Sequence, residues 1–200
     1  MNKIFYIMGK SSSGKDTMYK KILEEIPELK TVTLYTTRPI REGENDGVEY
    51  FFVEEEKFQE FQEMDKIIEA RSYDTIYGVW TYFTADDGQM DLNKYHYLIM
   101  GTLESYQEMK RYFGEERVEP IYIEVEDGVR LERALKRERM QKEPKYNELC
   151  RRFLADSEDF SEVNLEKVGI QRRFQNIDFQ TCLNEVIEFI KEKMCVILDS

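Results

Sequence analysis

The sequence predicts an α/β chain: a central parallel sheet flanked by helices, with a small mixed-β lobe and a helical lid attached. Three observations predict it. The apolar run "KIFYIM" (residues 3–8) enters a Gly/Ser loop that opens a helix. Strand and helix patterns alternate again from about residue 94, as parallel strands joined by crossover helices require. Between these halves lie short aromatic runs separated by Arg38-Pro39, Gly43 and Asp46-Gly47, all of them breakers of regular structure.

The elements follow in order. "KIFYIM" is a buried strand. "KDTMYKKILEEI" (15–26) is a helix with Met18, Ile22 and Leu23 on one face, closed by Pro27. "TVTLY" (31–35) is a second strand. An acidic helix, "EEEKFQEFQEM", sits among short aromatic strands between about 50 and 84. "KYHYLIMG" (94–101) is a strand. "TLESYQEMKRYFG" (102–114) is a helix with Thr102 as N-cap and Gly114 just past its end. "VEPIYIEV" (118–125) is a strand with Pro120 early in it. Charged helices span about 128–142 and 146–160, broken near Pro144. "GIQRRFQN" (169–176) has period-two character around a turn, and "FQTCLNEVIEFIKEKM" (179–194) is an amphipathic helix. The organisation expected is one domain over 1–200. Its core is about 1–30, 94–128 and 165–200, its lobe about 31–90, and its lid about 129–162.

Composition narrows the function. The 200 residues are 41% hydrophobic, enough for a core, and 35% charged, with thirteen tyrosines and twelve phenylalanines. A net charge of −12 argues against a nucleic-acid partner or an anionic membrane surface, which need a broad basic face. The N-terminal apolar stretch of five residues is too short for a signal peptide or a membrane span. Cys150, Cys182 and Cys195 show neither zinc spacing nor a disulfide framework, so free thiols in a reducing, cytoplasmic setting are expected. His96, the single histidine, lies in a core strand and reads as structural, which sets aside Ser-His and zinc-His chemistry.

"GKSSSGKDT" (9–17) fits the phosphate-binding template G-x-x-x-x-G-K-[ST] at Gly9, Gly14 and Lys15, but Asp16 stands at the hydroxyl position. Glycines let the backbone curl so that N–H groups point inward, and the helix start adds positive potential. Ser11, Ser12 and Ser13 supply small hydroxyl side chains, and Lys15 would reach the outer phosphates. Asp16 has several readings: a partner for Mg²⁺, a carboxylate turned away that leaves Thr17 as the active hydroxyl, a residue that repels phosphate, or a charge serving the helix start alone.

Further on, Arg38, Arg41, Tyr50 and Tyr77-Gly78 form a set suited to holding one phosphate, since arginine binds such oxyanions bidentately. Glu69 is suited to accept paired N–H bonds from a base such as guanine. Each alone reads more readily as a solvated charge or a core tyrosine; their joint order carries the argument.

With the loop, the stretch "TTRPIREGENDGVEYFFV", Glu69, Tyr77-Gly78 and a later arginine-rich lid, nearly the whole chain resembles the guanylate kinase family, whose pattern here is TTR-x-x-R-x-G-E-x-x-G-x-x-Y-x-F-V. The resemblance implies a P-loop kinase core and transfer of the γ-phosphoryl of ATP to GMP with Mg²⁺, in line and without a covalent intermediate. By position it implies that Arg38, Arg41, Tyr50, Tyr77 and Gly78 hold the acceptor phosphate and that Glu69 reads guanine. Asn176 resembles the family's adenine-contact asparagine, with a simple turn residue as the other reading. Three positions depart from the family. Leu34 and Val79 replace base-reading hydroxyls, and "YLIMGTLES" has no acid before Glu104 where the family carries an Asp-x-Asp run.

The lid sequence "RLERALKRERMQKEPKYNELCRRF" concentrates Arg130, Arg133, Lys136, Arg137, Arg139, Arg151 and Arg152 in an acidic chain. Phosphoryl transfer needs positive charge on the migrating group and exclusion of water. The resemblance implies that Arg137 or Arg139, and Arg151 or Arg152, touch that group, with Arg139 and Arg152 preferred; i, i+4 Glu–Arg pairing on a helix surface accounts for other charges. Two rivals stand beside GMP phosphorylation: a kinase of the same fold acting on another phosphorylated acceptor, such as another nucleoside monophosphate or a ribose bisphosphate, and a protein-binding module that has lost catalysis.

Overall fold

The computed structural model describes residues 1–41, 43–75 and 78–195. Strand β1 (Ile4–Met8) is buried throughout and leads into helix α1 (Lys15–Glu25). Strands β2 (Tyr35–Thr36) and β3 (Phe51–Phe52), helix α2 (Glu55–Glu63), and strands β4 (Ile67–Thr75) and β5 (Gly78–Ala85) follow. Then come β6 (Tyr97–Met100), α3 (Leu103–Phe113), β7 (Val118–Glu124), α4 (Asp127–Arg139), α5 (Tyr146–Asp159), α6 (Glu162–Lys167), β8 (Arg173–Gln175) and α7 (Phe179–Cys195).

Two four-stranded sheets result. The first has order β6-β1-β7-β8 and is parallel throughout. Its central strand β1 is apolar on both sides because helices cover both faces. On one face Ile4, Tyr6 and Met8 pack with Leu103, Tyr106 and Met109 of α3. On the other, Phe5 and Ile7 meet Met18 and Ile22 of α1 and Leu183, Val186 and Ile190 of α7. The second sheet, β3-β2-β5-β4, is mixed. Helix α2 caps it through Phe61 and Phe58 on Phe83, with Tyr35 stacked on Phe83 at 5.0 Å. Ile68 of β4 reaches into the core of the first sheet and joins the two packing units.

Most predicted elements form near their expected bounds. Thr102 and Ser105 close a reciprocal capping box on α3, and Gly114 ends it. Pro120 is tolerated inside β7 because β8 pairs only from Tyr122 onward. His96 is structural as expected: its Nδ1 accepts the Lys3 backbone N–H at 3.1 Å, and burial lowers its pKa. Two strands are shorter than predicted. "TVTLY" contributes only Tyr35 to a strand, because the Gln89 amide takes both backbone groups of Thr33 (2.9 and 3.1 Å). "KYHYLIMG" begins pairing near Tyr97, because Lys94 and Tyr95 donate their backbone N–H groups to Asp91 in a turn. Helix α6 was not anticipated; it is one short piece that buries Leu165. Among the described residues, no helix is long and apolar enough to cross a membrane.

Candidate active site

Ligands of open α/β sheets bind beyond the carboxyl ends of the strands, where neighbouring connections leave in opposite directions. Here β1 is flanked by β6 and β7, and the loop 9–14 leaves its carboxyl end. Gly9 is required by close approach: a Cβ there would lie 2.5 Å from the Ile123 carbonyl oxygen. Gly14 has φ +90° and sits against the Asn176 amide, where a Cβ would be 2.6 Å from Nδ2. Ser12 also adopts a positive φ, 66°, so the loop carries strain outside its glycines. The buried Oγ atoms of Ser12 and Ser13 lack hydrogen-bond partners among the described residues. Helix α1 starts without a side-chain cap. Orphan hydroxyls beside uncapped N–H groups are what an anion-binding turn offers.

Asn176, buried at 2% exposure, donates its Nδ2 to the Ser13 carbonyl at 2.7 Å while its backbone N–H donates to Glu124. It is therefore a brace that ties the β8–α7 junction to the loop. A cavity of about 420 Å³ opens beside it, lined by Ser12, Asp16, Thr17, Arg133, Arg137 and Phe179 among others. The Asp16 carboxylate is 67% exposed and 3.9 Å from Lys15 Nζ. Thr17 is exposed next to it. Ser11 faces elsewhere: its backbone N–H donates to Asp156 Oδ2 of α5 at 2.7 Å.

On the other side of Lys15 lies a cavity of about 500 Å³, walled by Thr33, Leu34, Tyr50, Arg71, Gly101 and Thr102 among others. Leu34 thus turns an apolar group into it. Val79, by contrast, is exposed at the start of β5. Gly101 admits no side chain, since a Cβ would lie 2.0 Å from the Tyr6 hydroxyl, which itself donates to Ser105 at 2.7 Å.

The predicted phosphate-holding residues are partly engaged already. Arg38, 3% exposed, makes a bidentate pair with Glu44 (3.0 and 2.8 Å) and lies over the rings of Tyr50 and Phe52. Glu44 also accepts the Arg41 backbone N–H, and these bonds hold its carboxyl below the usual range. Arg41 is exposed and borders a third cavity, of about 670 Å³, together with Tyr50, Arg71, Tyr82, Arg151 and Arg152. Gly78 has φ +110° at the turn of the β4–β5 hairpin. Tyr77 lies outside the described residues.

Glu69 is buried at 3% exposure and does not line either acceptor-side cavity. It accepts Arg71 Nε at 3.0 Å and the Thr84 hydroxyl at 2.7 Å. Burial raises its pKa, opposed by Arg71 and the Thr84 bond.

Helices α4 and α5 pack through Arg130, 1% exposed, whose guanidinium lies 3.8 Å over the Phe153 ring and donates to Asp127 at 2.6 Å. Arg130 is thus a packing residue. Arg137 borders the cavity beside Thr17. Arg139 is exposed and lines neither that cavity nor those on the acceptor side. Arg151 and Arg152 both donate to Glu148, holding its carboxyl down at about 2. Sequence reasoning missed Arg71, Tyr82 and Thr102 as cavity residues. Arg71 carried one signal: period two places it on the face of β4 that bears Glu69.

A glycine-serine loop at a parallel sheet's switch point, a neighbouring cavity bordered by the lysine of that loop, and an arginine-bearing helix pair define the class of P-loop α/β proteins. The family model described as guanylate kinase matches residues 1–192, and the chain belongs to that family. It is 42% identical over 76 residues to a guanylate kinase of Clostridioides difficile, covering 38% of this chain and 37% of that protein. It is 36% identical over 81 residues to a guanylate kinase of Coxiella burnetii, covering 39% of each. These matches span less than two fifths of the length of those curated relatives. The crystal structure of guanylate kinase from Anaplasma phagocytophilum superposes with a TM-score of 0.64 at 19% identity, over 97% of this chain and 87% of that one, which supports the shared fold.

Proposed function

We propose that the chain is a cytoplasmic, ATP-dependent nucleoside monophosphate kinase that transfers a phosphoryl group in line to an acceptor, with GMP the leading one. The observation that carries this reading is that Lys15 borders the acceptor-side cavity while Ser12 of its own loop, whose hydroxyl has no partner among the described residues, lines the adjoining cavity. A donor phosphate on the loop and an acceptor among Tyr50, Arg41 and Arg38 would meet at one cation. The second sheet then serves as acceptor lobe and α4–α5 as lid. Closure would bring Arg137, Arg139, Arg151 and Arg152 over the transferring group and keep water out.

Magnesium fits this site. It keeps most of its waters and needs only one or two protein oxygens besides phosphate, so the exposed Asp16 carboxylate and Thr17 hydroxyl suffice to hold it with ATP. When bound, the ion neutralises charge on the phosphates. Asn176 contributes indirectly, by fixing the curl of the loop from which Gly9 to Gly14 present their N–H groups.

A second reading, another phosphorylated acceptor, is favoured by Leu34 in the cavity wall. One coupled assay separates the two: ADP release from ATP and Mg²⁺ with GMP, dGMP, AMP, UMP, CMP and ribose bisphosphate in parallel. Turnover with GMP is expected. Turnover only with another acceptor overturns the leading reading, and the absence of both turnover and ATP binding points to a protein-binding module.

A further inference from the structure

The acceptor-side cavity contains a cation where the resemblance puts an acid. Glu69 and Arg71 stand two apart on β4 and share one face. Arg71 Nε donates to Glu69 Oε2 at 3.0 Å and its Nη2 reaches Oε1 at 3.5 Å. A guanidinium thereby presents to this carboxylate the parallel N–H pair that the ring N–H and amine of guanine would present. The Thr84 hydroxyl adds a third bond to the same carboxylate. Glu69 is satisfied from within the chain, and Arg71 borders both acceptor-side cavities, as Tyr50 does.

Arg71 has donors to spare. Of the five N–H groups of a guanidinium, three are engaged among the described residues: two bonds go to Glu69 and one, from Nη1, to Thr102 Oγ1 at 3.3 Å. The paired Nη donors of an arginine match two adjacent acceptor atoms, and the O6/N7 edge of a 6-oxopurine is the nucleobase edge that presents them. No hydroxyl competes for that edge at Leu34 or Val79.

Resting on the nucleoside monophosphate kinase reading, we infer that Arg71 is a specificity-determining residue. It withdraws Glu69 from base recognition and itself donates to the O6/N7 edge. The cavity therefore accepts guanine and hypoxanthine monophosphates alike. It discriminates against adenine, whose 6-amino group is a donor facing a donor.

The test is calorimetric binding of GMP, IMP and AMP to the wild type, Arg71→Ala and Arg71→Lys, with kcat/KM measured in parallel. In the wild type, GMP and IMP bind within about fivefold of each other, and AMP binds about tenfold or more weaker, the discrimination expected of one bidentate pair. Arg71→Ala releases Glu69, so GMP gains on IMP by about tenfold while the bias against AMP through O6 is lost. Arg71→Lys places one point charge where two donors stood and weakens GMP and IMP together, by about tenfold. A wild-type preference for GMP over IMP beyond fivefold overturns the inference, as does an unchanged three-way ratio in Arg71→Ala. Circular dichroism checks the fold; if Arg71→Ala does not fold, the wild-type ratio and Arg71→Lys decide. Binding ratios as expected without turnover sink the kinase reading and leave the inference standing. No binding of any of the three to wild type or Arg71→Ala sinks the inference.

Discussion

The two sides of Lys15 are built on opposite plans. On the loop side, among the described residues, Ser12 and Ser13 hold buried hydroxyls without partners and α1 begins without a side-chain cap. On the acceptor side, four arginines face carboxylates of the same chain: Arg38 with Glu44, Arg71 with Glu69, and Arg151 and Arg152 with Glu148. The loop is preorganised for an anion and has little to give up when one arrives. Under the proposed function these arginines would exchange one oxyanion for another, so affinity there would measure a competition between an internal carboxylate and the incoming group.

Three substitutions break or sharpen this contrast. Lys15→Ala removes the cation shared by both sides; kcat is expected to fall by about a thousandfold with the circular dichroism spectrum unchanged, and a loss under tenfold would place the transfer elsewhere. Asn176→Ala removes the brace under the loop. It is expected to lower the unfolding free energy by about 1–3 kcal/mol, because a buried carbonyl loses its donor. The KM for ATP should rise while that for the acceptor holds; equal rises in both would show that the two sides are not independently built. Glu148→Gln has the smallest effect. Its carboxyl is held at about 2 by Arg151 and Arg152, below the unfolded value of about 4.3. The stabilisation it brings is therefore present above the unfolded value and lost as pH falls through the folded one. Glu148 is 38% exposed, so wild type and Glu148→Gln should differ by only about 0.2–1 kcal/mol at pH 7. Denaturant titrations should show that gap closing towards pH 2; a gap that persists there would exclude the ion pairs as its source.

The alternation of strand and helix was readable because periodicity records burial on one face or two, as in Ile4–Met8 and in α1 with Met18 and Ile22. Thr102 and Gly114 were readable because caps are local chemistry. Strand "TVTLY" was over-read because the groups that displace its pairing belong to Gln89, far away in sequence. The site followed the same rule. Gly9 and Gly14 announce a curled loop by composition. Glu69 announces an acid but not its partner, since a carboxylate's occupancy depends on Arg71 and Thr84 in three dimensions. Asn176 could be found by resemblance, yet its role as a brace depends on a carbonyl 163 residues away.

Gly101 has a consequence for how such a chain can change. Its φ is not in the left-handed region, so the backbone would accept other residues; the obstacles are the Tyr6 hydroxyl, 2.0 Å from any Cβ placed there, and Ser105 Oγ at 2.7 Å. That hydroxyl is bonded to Ser105, which also closes the cap of α3. An acid introduced at position 101 by one mutation would collide with the core before it could touch a ligand in the cavity. Tyr6 and Ser105 must both give way before a side chain fits at position 101, at a cost to packing.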